Sequence, residues 1–358
     1  MSGTVSDDLE NFEAVDDLLH QLSIADRRAT RLKAAVSLEK SKAKAAGRER
    51  DEATARADIL EAAGFQKPAK WPAPKRPRRG TAVACSMLSD CHWDEVVNLD
   101  EMRGVNKYDR RIAELRLRRW ADKTIEMARD YTAGVDILGL VVPLGGDLVS
   151  GDIHDELKES NEATALETVV HWSAQLAAAL STVADHFGPV HCPTVVGNHG
   201  RTTRKPRAKL RVKTNLDWLL VTSTARILEG DDRITFDIPE SADCAFEVLG
   251  TRFLLTHGDQ VTGGGGIGGI WPPIKRLQAR KQVNEPHDVL IMGHWHQLVQ
   301  AATAGLIVNG TTKGADEYSA VSNFPVEPPA QAWWLVTPEH GVTVQAPIFV
   351  QDRKAEKW

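Results

Sequence analysis

Five short polar clusters constrain this chain more than any other feature of it. They are Asp90-Cys91-His92, Gly145-Gly146-Asp147, Gly197-Asn198-His199, His257-Gly258-Asp259 and Gly293-His294-Trp295-His296. Each follows a short apolar run that reads as a β-strand: 81–89, 135–144, 190–196, 252–256 and 289–292. In open α/β sheets, sites form where loops leave the carboxyl ends of strands. The fold must therefore bring several strand ends to one edge. The side chains are those that bind divalent cations, and the glycines beside them let the backbone turn sharply next to an ion. A single Asp-x-His is ordinarily structural. Five clusters, each at a strand end, point to a site for two divalent ions. Two such ions about 3.5–4 Å apart, bridged by a carboxylate, neutralise a phosphoester and acidify a bound water.

Around these clusters the chain divides by texture. Residues 1–64 are rich in Ala, Arg, Lys and Glu and read as a helical extension. Apolar residues recur there at 3-4 spacing: Val15, Leu18, Leu22, Ala25, Ala29, Leu32 and Val36, then Ala43, Ala46, Ala53, Ala57 and Leu60, interrupted by Glu39 and Arg50. One or two long helices are expected, pairing with another copy of the chain or lying across the main domain. Residues 65–80 form a basic, proline-rich linker, extended because proline excludes helix. Residues 81–350 alternate strands with helices at 107–130 and 161–187, and then turn mostly to strands. Those later strands are 244–249 paired through Gly250 with 252–256, then 289–292, 306–309, 332–336 and 342–345. This α/β order suggests a two-layer β core flanked by helices. Residues 351–358 read as a tail.

Composition excludes several classes. The net charge is -5, so nucleic-acid affinity requires a local basic patch. No apolar run reaches the roughly 20 residues of a membrane span, and the acidic N-terminus is no secretory signal. Cys85, Cys91, Cys192 and Cys244 form no CxxC pair and read as reduced and buried, as in a cytoplasmic protein.

The series Asp90-x-His92, Gly146-Asp147, Gly197-Asn198-His199, His257 and Gly293-His294-x-His296 resembles the calcineurin-like metallophosphoesterases, over roughly residues 81–350. The resemblance implies a four-layer αββα sandwich. It implies that Asp90, His92, Asp147 and His296 hold one ion, and that Asp147, Asn198, His257 and His294 hold the other. His199 would be the substrate-facing histidine, stabilising the phosphate or protonating the leaving oxygen. Mixed imidazole, carboxylate and amide donors suit manganese first, with iron or zinc also fitting. Two positions depart from the family pattern. Gly200 stands where an acid commonly follows, and Ser150 where an acid or histidine commonly supports His199. That would leave His199 unsupported unless Asp94, Asp152 or His154 substitutes.

Substrate class is less constrained. The segment 200–213 begins one residue after His199, contains no acid, and carries Arg201, Arg204, Lys205, Arg207, Lys209, Arg211 and Lys213. Arg201, Arg204, Lys205 and Arg207 are the candidate substrate-binding residues. Dense cations beside such a site suit a polyanion, so a nuclease similar to the DNA-repair branch of the family and to phage-encoded members leads. A phosphatase or small phosphodiesterase acting on phosphoproteins or nucleotides is the alternative. The sequence names no partner ATPase. Trp93 and Trp295, beside ligands, could stack on a base or pack in the core. The glycine-rich run 262–269 reads as a flap at the cleft or as a surface loop; it lacks the ending of a nucleotide-binding P-loop.

Overall fold

The computed structural model describes residues 5–63, 80–261 and 269–358. The linker at 65–79 and most of the glycine-rich run at 262–268 lie outside the described residues. The chain forms two units, Met1–Lys75 and Arg76–Trp358. The described residues of the first form one helix, α1 (Val5–Ala63), of 59 residues.

In the second unit the elements run β1 (Gly80–Ser86), α2 (Arg110–Glu126), β2 (Val135–Val141), α3 (Asp155–Ser160), α4 (Ala165–Phe187), β3 (Val190–Pro193), α5 (Leu216–Ile227) and β4 (Ile234–Asp237). They continue with β5 (Asp243–Val248), β6 (Thr251–Thr256), α6 (Trp271–Asn284), β7 (Val289–Met292), β8 (Val299–Ala301), β9 (Leu306–Val308), α7 (Glu317–Val321), β10 (Ala330–Thr337), β11 (Gly341–Phe349) and α8 (Arg353–Glu356). The helix expected over 161–187 starts only at Ala165. Thr164 and Glu167 form a reciprocal capping box there, which starts α4.

Two sheets result, in the orders β11-β10-β1-β2-β3-β4 and β5-β6-β7-β9-β8. Side-chain alternation along the strands assigns the layers. In β1, Ala82 and Ala84 face a cluster built with Trp120 of α2, Trp172 and Leu176 of α4, and Leu220 of α5. Cys85 faces the opposite way, into a cluster with Phe253, Ile291, Ile307 and Trp334 that fills the space between the sheets. In β10 the adjacent Trp333 and Trp334 divide between these two clusters in the same way. Leu254, Leu290 and Leu306 on the far face of the second sheet meet Ile274 of α6. The unit is thus a mixed α/β fold of four layers, helices–sheet–sheet–helix.

β1, β2 and β3 are parallel neighbours, as are β6 and β7. Their carboxyl ends therefore fall on one edge of each sheet. The C-terminal residues do not trail off. Glu356 of α8 is buried against Arg116 of α2, with paired contacts of 3.0 Å.

Candidate metal centre

The carboxyl edges of the two sheets meet. His257, after β6, places its Nε2 3.0 Å from Asp147 Oδ2, in the loop after β2. Asn198 Oδ1, after β3, lies 3.2 Å from the same nitrogen. His296, after β7, places its Nε2 3.1 Å from His92 Nε2 and 3.6 Å from Asp90 Oδ1, both in the loop after β1. Among the described residues three ligand groups emerge, each with donor atoms within 4.8 Å of one another: Asp90/His92/His296, Asp147/His257/His294 and His92/Asp147/His199. All seven expected ligands and His199 are brought together. His199 sits closer to the carboxylate than a purely substrate-facing group requires: it shares a group with Asp147, and its ring centroid is 4.4 Å from that of His92.

The donor chemistry fits divalent cations. His257 Nδ1 contacts the Gly145 carbonyl at 2.8 Å, and a carbonyl only accepts, so Nδ1 carries a proton. A neutral His257 therefore aims the Nε2 lone pair at the Asp147 carboxylate, which repels it unless a cation lies between. In the metal-free protein a proton fills that role. Burial works to lower the His257 pKa, but Asp147 outweighs it and holds the value up at about 10. Burial also pushes Asp90 up to about 7, with Asp147 adding to it. It pushes His294 down to about 4, helped by the charge of His257, and pushes His92 well below the usual range. Buried carboxylates and neutral imidazoles that face one another constitute a cation site. The capacity is for one or two divalent ions.

The backbone is arranged for this purpose. Asp90, His92, Asp147, His294 and His296 all have φ between 48° and 70°. Non-glycine residues seldom adopt that region, at about 1–3 kcal/mol each, and the surrounding bonds must enforce it. Gly293 lets the β7 loop press against Asp90: a Cβ there would stand 2.2 Å from Asp90 Oδ2.

Those enforcing bonds come from residues that local sequence patterns do not reveal. Asp217, fully buried at the start of α5, accepts backbone N–H groups from Asp147, Leu148 and Val149 after β2, and from Gly197 after β3. One carboxylate thus clamps two ligand loops. Burial pushes its pKa up to about 6, with Asp147 adding to the shift. Asn215 assists by donating from Nδ2 to the Gly197 carbonyl. Its Oδ1 accepts from the Asp217 N–H, and the only sequence signal was that helix-capping pattern. Ser89, Asn309 and Gln331 form a second clamp on the β1 loop. Glu95 Oε2 lies 3.5 Å from His92 Nδ1, and Glu95 is held by the buried Lys313 at 2.8 Å.

Several expectations change. His199 is not unsupported: its Nδ1 donates to the backbone carbonyl of Ser150 at 3.0 Å, so the Ser150 side chain is immaterial to that role. Asp94 is committed to Arg110 and to the Trp172 indole, Asp152 is exposed, and the His154 ring lies 6.1 Å from that of His199. Gly200 has its own reason, since a Cβ there would meet Asn215 Oδ1 at 2.3 Å. Trp93 is core, stacked on Trp172 at 4.5 Å. Trp295 is half-buried and packs on the α6 side of the second sheet. Within the basic segment, Arg201 turns its guanidinium to the carbonyls of Asn198 and Thr203, Arg211 pairs with Asp259, and Lys213 contacts Glu240. Arg204, Lys205, Arg207 and Lys209 are exposed. The segment is an excursion closed at its neck by the Arg201–Asn215 bridge and by the Thr202 N–H donating to Thr214.

Among the described residues, no helix is long and apolar enough to cross a membrane. All four cysteines are free and buried.

No protein-family model matches the chain, and no curated protein matches it. Solved structures overlap it weakly. A conserved protein from Streptococcus pneumoniae TIGR4, described as a predicted phosphoesterase, is 11% identical and covers 74% of this chain and 97% of its own, with a TM-score of 0.31. A dimetal phosphatase from Danio rerio is 13% identical over 75% of this chain and 99% of its own, with a TM-score of 0.35. Vps29 from Entamoeba histolytica, complexed with zinc, is 11% identical over 75% of this chain and 100% of its own, with a TM-score of 0.30. Overlaps this weak carry no information on chemistry, which rests on the ligand geometry of the chain itself.

Proposed function

We propose that this protein is a two-metal phosphoester hydrolase of the calcineurin-like kind, acting as a phosphatase or small-molecule phosphodiesterase. Its support is the position of Asp147, whose carboxylate belongs to the His257/His294 group and to the His92/His199 group at once. A carboxylate so placed could serve two ions at once. Asp90, His92, Asp147 and His296 would hold one, and Asp147, Asn198, His257 and His294 the other, with manganese suited to the mixed donors. Bound there, divalent cations supply charge for the phosphoester oxygens and a water acidic enough to attack near neutral pH.

The chain's own groups do the rest. The Ser150 carbonyl accepts the Nδ1–H of His199 and fixes the aim of the ring, so that Nε2, when it too carries a proton, would donate to a phosphate oxygen or pass that proton to the leaving oxygen. Asp217 keeps the two ligand loops in register as substrate binds.

The test is Asp147→Asn, measured by elemental analysis and by hydrolysis of chromogenic phosphomonoesters and phosphodiesters with manganese. Loss of bound metal together with turnover is expected. Full metal content with normal turnover would falsify the assignment.

A second reading, a nuclease, is favoured by one observation: Arg204, Lys205, Arg207 and Lys209 stand exposed on the excursion that leaves His199. Nicking of plasmid DNA, compared with small-ester hydrolysis by the same preparation, separates the two.

A further inference from the structure

The 59-residue helix α1 carries apolar side chains that nothing among the described residues of its own unit covers. Val15, Leu18, Leu22, Leu32 and Val36 are between 50% and 65% exposed. Isolated helices owe little stability to propensity alone and are held by burying an apolar face. The spacing of that face is informative. From Val15 to Val36 the stripe keeps a seven-residue repeat, with Val15, Leu22, Ala29 and Val36 at one core position and Leu18, Ala25 and Leu32 at the other; beyond it, Glu39 and Arg50 occupy core positions. A sustained seven-residue repeat specifies supercoiling with another helix of the same repeat.

Charge then chooses the orientation. Residues 5–26 contain seven acids and no lysine or arginine, whereas residues 27–48 contain eight lysines and arginines against the single Glu39. A parallel pair in register stacks acid on acid and base on base. An antiparallel pair centred at residue 27 lays each acidic half along the other copy's basic half. That register also aligns the stripe: Leu18 falls opposite Val36 of the second copy, Leu22 opposite Leu32, and Ala25 opposite Ala29. The apolar overlap ends at Leu18–Val36, because the next stripe residue, Val15, falls opposite Glu39.

We infer that α1 is an antiparallel homodimerisation helix whose partner is α1 of a second copy of this chain. The inference is independent of the chemistry of the metal centre. The two chains leave such a pair at opposite ends.

The test uses the full chain. Sedimentation equilibrium should give twice 39.3 kDa, and a monomer would overturn the proposal. Leu22→Asp with Leu32→Asp should return the mass to a monomer with the hydrolytic rate unchanged; a dimer that survives would place the interface elsewhere. Orientation is read from a spin label on Ser41→Cys, selective because the four native cysteines are buried. Antiparallel pairing separates the two labels by about 42 Å along the axis, from the 1.5 Å rise per residue. Parallel pairing would bring them within about 20 Å and overturn the orientation. Raising salt from 0.05 to 0.5 M should weaken an antiparallel dimer and would strengthen a parallel one.

Discussion

The ligand loops and the basic excursion at 201–213 are adjacent in sequence and opposite in construction. The ligand loops are buried or half-buried, hold five residues in left-handed backbone conformations, and are tied across the molecule by Asp217, Asn215, Asn309 and Gln331. The excursion is anchored at its neck, by the buried Val212 and by Arg211–Asp259 and Lys213–Glu240, and its middle cations face solvent. Ions bind where burial has stripped water from their ligands, and that demands exact placement. Contacts with a polyanion need only accessible charge. The chemistry and any choice of substrate therefore rest on different parts of the unit and should be separable by mutation.

The largest separable effect should come from His199→Ala. Its backbone N–H still donates to Asp147 Oδ1 at 2.7 Å, so both ions should stay while turnover falls by about 10² to 10⁴. Elemental analysis beside kcat decides it, and metal loss would make His199 a ligand instead. Asp217→Asn should act less severely and differently. It weakens the clamp on two loops at once, and groups that orient metal ligands typically contribute about 10–100-fold in affinity or activity. Excess manganese should restore much of the rate of this variant and none of the rate of His199→Ala. If manganese has no effect, Asp217 does not work through the ligands.

Arg204→Ala, Lys205→Ala and Arg207→Ala together should leave small-ester hydrolysis within about twofold, because none touches a ligand loop. If DNA lies along the excursion, the log–log salt dependence of its binding should flatten by up to about 3, at roughly 0.9 per phosphate contact. Equal losses on both substrates would join the two regions that the structure separates.

The smallest effect on turnover, effectively none, is expected from Glu356→Gln, remote from both regions. Burial would raise the Glu356 pKa, but the hydrogen bonds and charge of Arg116 outweigh it and hold it below the usual range. A depressed carboxylate pKa contributes stability above its unfolded value, about 4.3, and that stability is lost as pH falls through the folded value. At pH 7 the variant should be less stable by about 3–5 kcal/mol, the usual cost of breaking a buried pair. The gap should narrow as pH drops below about 4. Denaturant midpoints at several pH values measure it, and a gap that widens in acid contradicts the assignment.

The sequence by itself named the residues that the site brings together, because each follows one of five strands within a few residues. That is a local relation, visible as an apolar run ending in Asp, His or Asn. It also determined the strands they follow and the repeat of α1. The edge strands β4 and β8, the helices α5 and α6, and the start of α4 at Ala165 were not legible. Short or weakly apolar elements take their state from what they pack against. Only the tertiary structure decided what holds the site. Asp217 grips Asp147 from 70 positions away, Lys313 reaches Glu95 across 218, and Arg116 finds Glu356 across 240. It also decided that the Ser150 carbonyl, which every residue type has, supports His199 in place of a side chain. A backbone group leaves no mark in the sequence, and a buried carboxylate serving backbone N–H groups looks like any helix-start aspartate until the sheets close around it.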